Sequence, residues 1–157
     1  MAEVVVMGGG LMGTGIAQIA SQTQHKVTLV DINEGVLAKS EKRIVDSLKR
    51  VAKKMFKDDP DAGEKFVANS AGNISYATDS ENSLGTADVV VEAITEVLPL
   101  KQKLFKQWDQ VCPEKTEKRC ERCITLLSLD LTYYRHFLGE DLENKDILGV
   151  DRNKLYH

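Results

Sequence analysis

Gly8, Gly10 and Gly13 reproduce a G-x-G-x-x-G spacing, and Asp31 follows at the end of the next apolar run. Glycines so spaced let a chain turn sharply after a strand, bring its backbone up to a phosphate with no Cβ in the way, and open a helix packed close on a sheet. The amides of that helix's first turn, with Leu11 and Met12 at its start, would face a pyrophosphate with the positive end of the helix dipole behind them and no lysine needed. Asp31 is placed to accept hydrogen bonds from an adenosine ribose. Its charge opposes the extra 2′-phosphate of NADP, so the expected cofactor is NAD. Two competing assignments stand beside these: a purely structural glycine turn, and Asp31 as a cap of the helix beginning after Asn33.

Other residues could carry chemistry at a distance from the glycines. Glu92, Glu96 and Lys101 fall at or just after the end of a strong apolar strand, the edge where open α/β sheets bind ligands. Spacing alone favours a partnered structural carboxylate for Glu92 and a solvated helix start for Glu96 and Lys101. From Lys39 to Lys57 there are eight Lys or Arg against two acidic residues, Glu41 and Asp46. Such a face is usually solvated, but Ser47 and Lys54, seven apart, share one side and could receive a phosphate-bearing ligand. Cys120 and Cys123 have the spacing of metal ligands without a second pair, and a zinc site completed by Cys112 and His136 is the less favoured reading beside free thiols. His25, His136 and His157 have no placed carboxylate, so no catalytic dyad is assigned.

These groups must be positioned by alternating strands and helices. Residues 3–7 read as a buried strand, and Met12, Ile16, Ile19 and Ala20 give the following helix its apolar spacing, with Gly13 and Ala17 allowing close packing. Residues 27–31 form a second strand, completing a βαβ unit with parallel strands. A long helix follows from Asn33 to about Phe56, with Leu37, Ile44, Leu48, Val51 and Met55 as its apolar stripe. The pattern then gives a short helix around Phe66 and Val67, a strand at 74–77, a loop at 78–87, a strand at 88–94, and a helix from Pro99 to near Cys112 with Leu100, Leu104, Phe105, Trp108 and Val111 on one face. The fold class is α/β, a Rossmann-type doubly wound, mostly parallel sheet with helices on both faces. Residues 117–122 are a charge cluster, and 124–131 fit strand and helix periods equally.

Composition narrows the remaining classes. With 42% hydrophobic and 29% charged residues and three prolines in 157, the chain has a globular profile. A net charge of -3 provides no global basic field, so nucleic acid is not an expected partner. No apolar run approaches the roughly 20 residues of a membrane span. No basic presequence or cleavage site precedes the first strand, so the sequence as it stands is expected to stay in the cytoplasm, with its three cysteines as free thiols.

The run Gly8 to Gln18, with Leu29-Val30-Asp31 and Val90-Val91-Glu92-Ala93-Ile94, closely resembles the NAD-binding domain of short-chain (S)-3-hydroxyacyl-CoA dehydrogenases. The resemblance runs from about residue 3 to Thr116 and includes Asp46 to Lys54 and Leu104-Phe105-Lys106. It implies an NAD-dependent oxidoreductase of fatty-acid β-oxidation, passing hydride between a (3S)-3-hydroxyacyl-CoA and NAD. By motif match, Asp31, Glu96 and Lys101 correspond to cofactor contacts, and Ser47 and Lys54 to contacts with the acyl-CoA substrate. The family continues with a Ser-Asn-Thr-Ser-Ser type motif and a His-Phe-Phe-Asn-Pro motif holding the catalytic histidine, and neither is present here. Arg135-His136-Phe137-Leu138-Gly139 is similar to the second, but it comes early and lacks Asn-Pro, so no catalytic residue is assigned. The expected organisation is an NAD-binding domain at 1–116 and a divergent segment at 117–157, such as alternative splicing or a frame change would produce. The helical domain that forms the family's homodimer and completes its active site is not expected within this sequence. Members act in the mitochondrial matrix. The alternative to this incomplete dehydrogenase is a noncatalytic nucleotide-binding or interaction module.

Overall fold

The computed structural model describes residues 1–113 and 115–120. In chain order the elements are β1 (Glu3–Met7), α1 (Leu11–Gln22), β2 (Lys26–Val30), α2 (Glu34–Met55), α3 (Pro60–Gly72), β3 (Ile74–Ala77), α4 (Glu81–Leu84), β4 (Val89–Glu92), α5 (Leu98–Val111) and β5 (Glu117–Cys120). The strands form one sheet in the order β3-β2-β1-β4-β5, and every neighbouring pair is parallel. This is the doubly wound order, with the strand sequence reversing direction between β1 and β4.

Alternation along β1 divides the core between the two faces of the sheet. Val4 and Val6 join Val27, Leu29 and Ile74 beneath α1 and α2, which contribute Ala17, Leu37, Ile44 and Leu48. Val5 and Met7 join Val30 and Val90 on the other face, covered by Leu84, Phe105 and Trp108. The Phe105 and Trp108 rings meet at 4.8 Å between centroids.

Several elements differ from their sequence reading. α1 buries Gly13, Thr14, Ala17 and Ser21, while Met12 and Ile19 are exposed. A helix that starts at a tight glycine turn lies too close to the sheet for long side chains, so its small residues face inward. In α2 the buried set is Leu37, Ser40, Ile44, Leu48 and Ala52, and Met55 is exposed. α3 runs for 13 residues rather than a short stretch, because Asp59 caps it through Ala62 N and Pro60 fits its first turn. The expected loop at 78–87 contains α4, which buries Leu84. β4 has four residues, and β2 ends one residue before Asp31. The charge cluster at 117 forms β5, pairing Val89 to Glu92 with Glu117 to Cys120. Among the described residues, no helix is long and apolar enough to cross a membrane.

Candidate functional site

The turn after β1 lies at the carboxyl edge of the sheet, beside the end of β4. Gly8 has φ +113°, a left-handed value, and a Cβ there would stand 2.5 Å from the carbonyl oxygen of Ala93. The Gly8 amide donates to Val30 O at 2.7 Å and the Ala93 amide to Met7 O at 2.8 Å, so the turn is fastened to both neighbouring strands. Gly13 packs against the Gly8 carbonyl so closely that a Cβ would overlap it. Gly10 is the opposite case: it is exposed, and nothing lies within 4 Å of where its Cβ would be. It caps α1 in extended conformation, with no side chain bonded to the helix end. Leu11 and Met12 follow with exposed side chains, leaving their backbone as the part that lines the turn.

Asp31 stands immediately after β2. Its Oδ2 accepts the Gly9 amide at 2.8 Å and its Oδ1 the Asn33 amide at 3.0 Å. The helix cap itself is Asn33, whose Oδ1 accepts from Gly35 N and Val36 N. Asp31 therefore joins the glycine turn to the start of α2 instead of capping that helix.

At the end of β4, Glu92 is fully buried. Its Oε1 accepts the Ile94 amide at 2.8 Å and its Oε2 meets Lys101 Nζ at 2.8 Å. Lys101 also bonds Glu96 Oε1 at 2.6 Å. The partnered reading of Glu92 holds, but Lys101 is 3% exposed and not solvated. The first turn of α5 aims it back at the sheet, where two carboxylates offset the cost of burying its charge. Glu96 keeps an exposed carboxylate at the edge. Ser47 is half-buried and Lys54 exposed on α2, below the turn that Asp31 joins to its start.

His25 lies at the other edge, where its Nδ1 accepts the Ala2 amide at 3.0 Å. It is the one histidine among the described residues, so His136 and the histidine-containing segment around it lie outside them, as does Cys123. Cys112 is half-buried, and burial pushes its thiol up from 9.0. Burial and the nearby Glu41 carboxylate push Tyr76 up to about 12. Among the described residues no group of three His, Cys, Asp or Glu could hold a metal ion.

A glycine turn at the strand-order reversal, with an acceptor carboxylate ending β2, is the arrangement that holds dinucleotides in open α/β sheets. Residues 3–116 match the family model described as 3-hydroxyacyl-CoA dehydrogenase, NAD binding domain. The chain belongs to this family. As a 3-hydroxyacyl-CoA dehydrogenase NAD-binding domain, it is 50% identical over 114 residues to the mitochondrial hydroxyacyl-coenzyme A dehydrogenase of Sus scrofa, covering 73% of this chain and 36% of that one. It is 33% identical over 151 residues to the peroxisomal fatty acid beta-oxidation multifunctional protein of Oryza sativa, covering 94% of this chain and 19% of the relative. The fold is similar to that of (S)-3-hydroxybutyryl-CoA dehydrogenase from Ralstonia eutropha, with a TM-score of 0.66 and 30% identity over 76% of this chain and 41% of the other. The dehydrogenase domain thus spans about a third of the length of its mitochondrial relatives.

The residues that sequence reasoning missed are supporting ones. Thr14 and Ser40 bond the carbonyls of Gly9 and Gly10, and Ile32 projects beside Asp31 with 94% exposure. A serine inside an otherwise apolar stripe was the available signal for Ser40.

Proposed function

We propose that this chain binds NAD at the turn from Gly8 to Gly13 and an acyl-CoA along α2, as the cofactor-binding part of a 3-hydroxyacyl-CoA dehydrogenase. The observation that carries the reading is the open face at Gly10, set between the closed contacts of Gly8 and Gly13 with Asp31 beside it. The backbone at Gly10, Leu11 and Met12 would take the pyrophosphate, and Asp31 the adenosine ribose. NAD bound there supplies a hydride acceptor. Glu96 offers an acceptor on the side of the crevice formed by β4, and Lys101 supports that carboxylate from beneath. Ser47 and Lys54 offer a hydroxyl and a charge to a phosphate of coenzyme A, within a basic face that includes Lys49, Arg50 and Lys53.

Oxidising a 3-hydroxyacyl group requires a base for the hydroxyl proton, and the described residues place no histidine at this edge. The proposal for this chain is therefore binding of both nucleotides, with turnover supplied by a complete family catalytic unit. By relationship to its named relatives, the compartment proposed is the mitochondrial matrix.

The test uses the full chain with NADH and acetoacetyl-CoA, following the nicotinamide absorbance, with NAD and CoA binding measured by calorimetry. Saturable NAD binding that is weakened by Asp31→Ala, with NADP binding not weakened, is expected. An unchanged NAD to NADP affinity ratio in Asp31→Ala would remove the ribose assignment. Failure of the folded chain to bind NAD would remove the proposal.

A further inference from the structure

Ser40 lies in the second turn of α2 and is 1% exposed. Its Oγ stands 2.6 Å from Gly9 O and 2.8 Å from Val36 O. Val36, four residues back on the same helix, would satisfy the hydroxyl by itself, yet the shorter approach is to the glycine turn. Thr14 Oγ1 reaches the same carbonyl from α1, at 3.2 Å, while sitting 2.6 Å from Gly10 O. On the other side of the Gly9 Cα, the Gly9 amide is held by Asp31 at 2.8 Å. Both peptide planes flanking Gly9 are thus tied to groups outside the turn.

The peptide joining Gly9 to Gly10 is trans, as are all those described. In a planar trans peptide the carbonyl and the N–H point in opposite directions. With its carbonyl drawn inward by the buried Ser40, this unit must direct the Gly10 N–H away from α2. That is the side of the exposed Gly10, where nothing lies within 4 Å of a Cβ position. We infer that Ser40 is a positioning residue for dinucleotide binding: its hydroxyl fixes the Gly9 carbonyl and thereby aims the Gly10 amide at the pyrophosphate. The inference rests on the NAD site proposed above. It also gives α2 two tasks, since Ser47 and Lys54 follow Ser40 at successive seven-residue steps on the same helix.

Ser40→Ala and Ser40→Thr in the full chain test this, with NAD and AMP as ligands and thermal unfolding recorded for each variant. AMP has the adenosine ribose and one phosphate but no pyrophosphate. Ser40→Ala is expected to weaken NAD about tenfold, the size of one lost hydrogen bond, and AMP less than twofold. Ser40→Thr, which keeps the hydroxyl, is expected to bring NAD affinity back toward wild type. Equal weakening of NAD and AMP would mark Ser40 as merely structural and overturn the inference, as would no change in either. Without any ligand, the 13C shift of the Gly9 carbonyl is expected to move in Ser40→Ala and to stay in Ser40→Thr. A Gly9 carbonyl shift unmoved by Ser40→Ala sinks the inference at its own contact, whether or not the chain binds NAD, whereas wild-type failure to bind NAD with that shift moved removes the site reading, and the pyrophosphate role of Ser40 with it, while the Ser40 contact to Gly9 stands.

Discussion

Lys101 and Glu92 meet as a buried ion pair, Nζ to Oε2 at 2.8 Å, where β4 delivers the chain to the ligand edge of the sheet. Removing Glu92 would leave the lysine buried with Glu96 as its other charged partner shown here, and would leave the Ile94 amide without its side-chain acceptor. Glu92→Ala is expected to cost about 3 kcal/mol in urea unfolding, the scale for breaking a buried pair from one side. Glu92→Gln, which keeps an acceptor for Ile94, should cost less. Equal stability of the two variants with the parent would show that the pair does not hold this corner.

Gly13 and Gly10 should separate folding from binding. Gly13→Ala drives a Cβ into the Gly8 carbonyl, so the turn or α1 must shift, and a loss of roughly 2 kcal/mol or more is expected, within the range for overpacking. Gly10→Ala enters open space at an ordinary φ of -66°, so stability should change by no more than about 1 kcal/mol. Its methyl group would occupy the approach to the backbone, and NAD affinity should fall at least tenfold. Parallel denaturation and calorimetry on the two variants check the contrast; a Gly10→Ala protein that binds NAD normally contradicts it.

Asp88 gives the fold one contact that depends on pH. The Glu3 amide donates to its Oδ2 at 3.0 Å and Lys115 Nζ lies 3.3 Å from its Oδ1. The Glu3 amide first, and then Lys115, hold its carboxyl below the ordinary 3.8. A carboxylate lowered on folding stabilises the fold above its unfolded pKa, and that contribution disappears as pH falls through the folded value. Unfolding midpoints of Asp88→Asn and the parent should therefore differ at neutral pH and converge below pH ~4. A gap that stays constant down to pH ~2 would count against this linkage.

Gln24 carries a left-handed backbone, φ 64°, just past the end of α1. Glycine has no Cβ penalty there, and Gln24 is exposed, so Gln24→Gly should raise stability by up to about 1 kcal/mol. Differential scanning calorimetry would register it as a higher Tm; a lower one would mean that the glutamine side chain stabilises the turn.

The βαβ start was legible because its signals agree: an unbroken apolar strand, glycines at the spacing of a strand-to-helix turn, and an aspartate directly after the second strand. What escaped were features set by partners distant in sequence. Met12 and Ile19 have helical spacing, but the closeness of α1 to the sheet turns Thr14, Ala17 and Ser21 inward instead. Lys101 looks solvated until Glu92 is placed beside it across the β4 to α5 connection. β5 has too few apolar residues to announce itself, and it takes its place by pairing with β4. Asp31 was legible as a carboxylate at the right position; its bonds to Gly9 and Asn33 were not.

The central strand β1 has neighbours of very different origin. Its partner β2 follows after a single helix, whereas the side that receives β4 joins Glu3 to Asp88 across 85 positions. Closing so large a loop is slow compared with forming the local βαβ unit. On a ribosome, β1, β2 and β3 could therefore assemble with their helices while β4 was still being made. The Gly8 turn sits on that seam and waits for Ala93, so the dinucleotide crevice closes only after the local βαβ unit, and a nucleotide can report only on chains in which β4 has already docked.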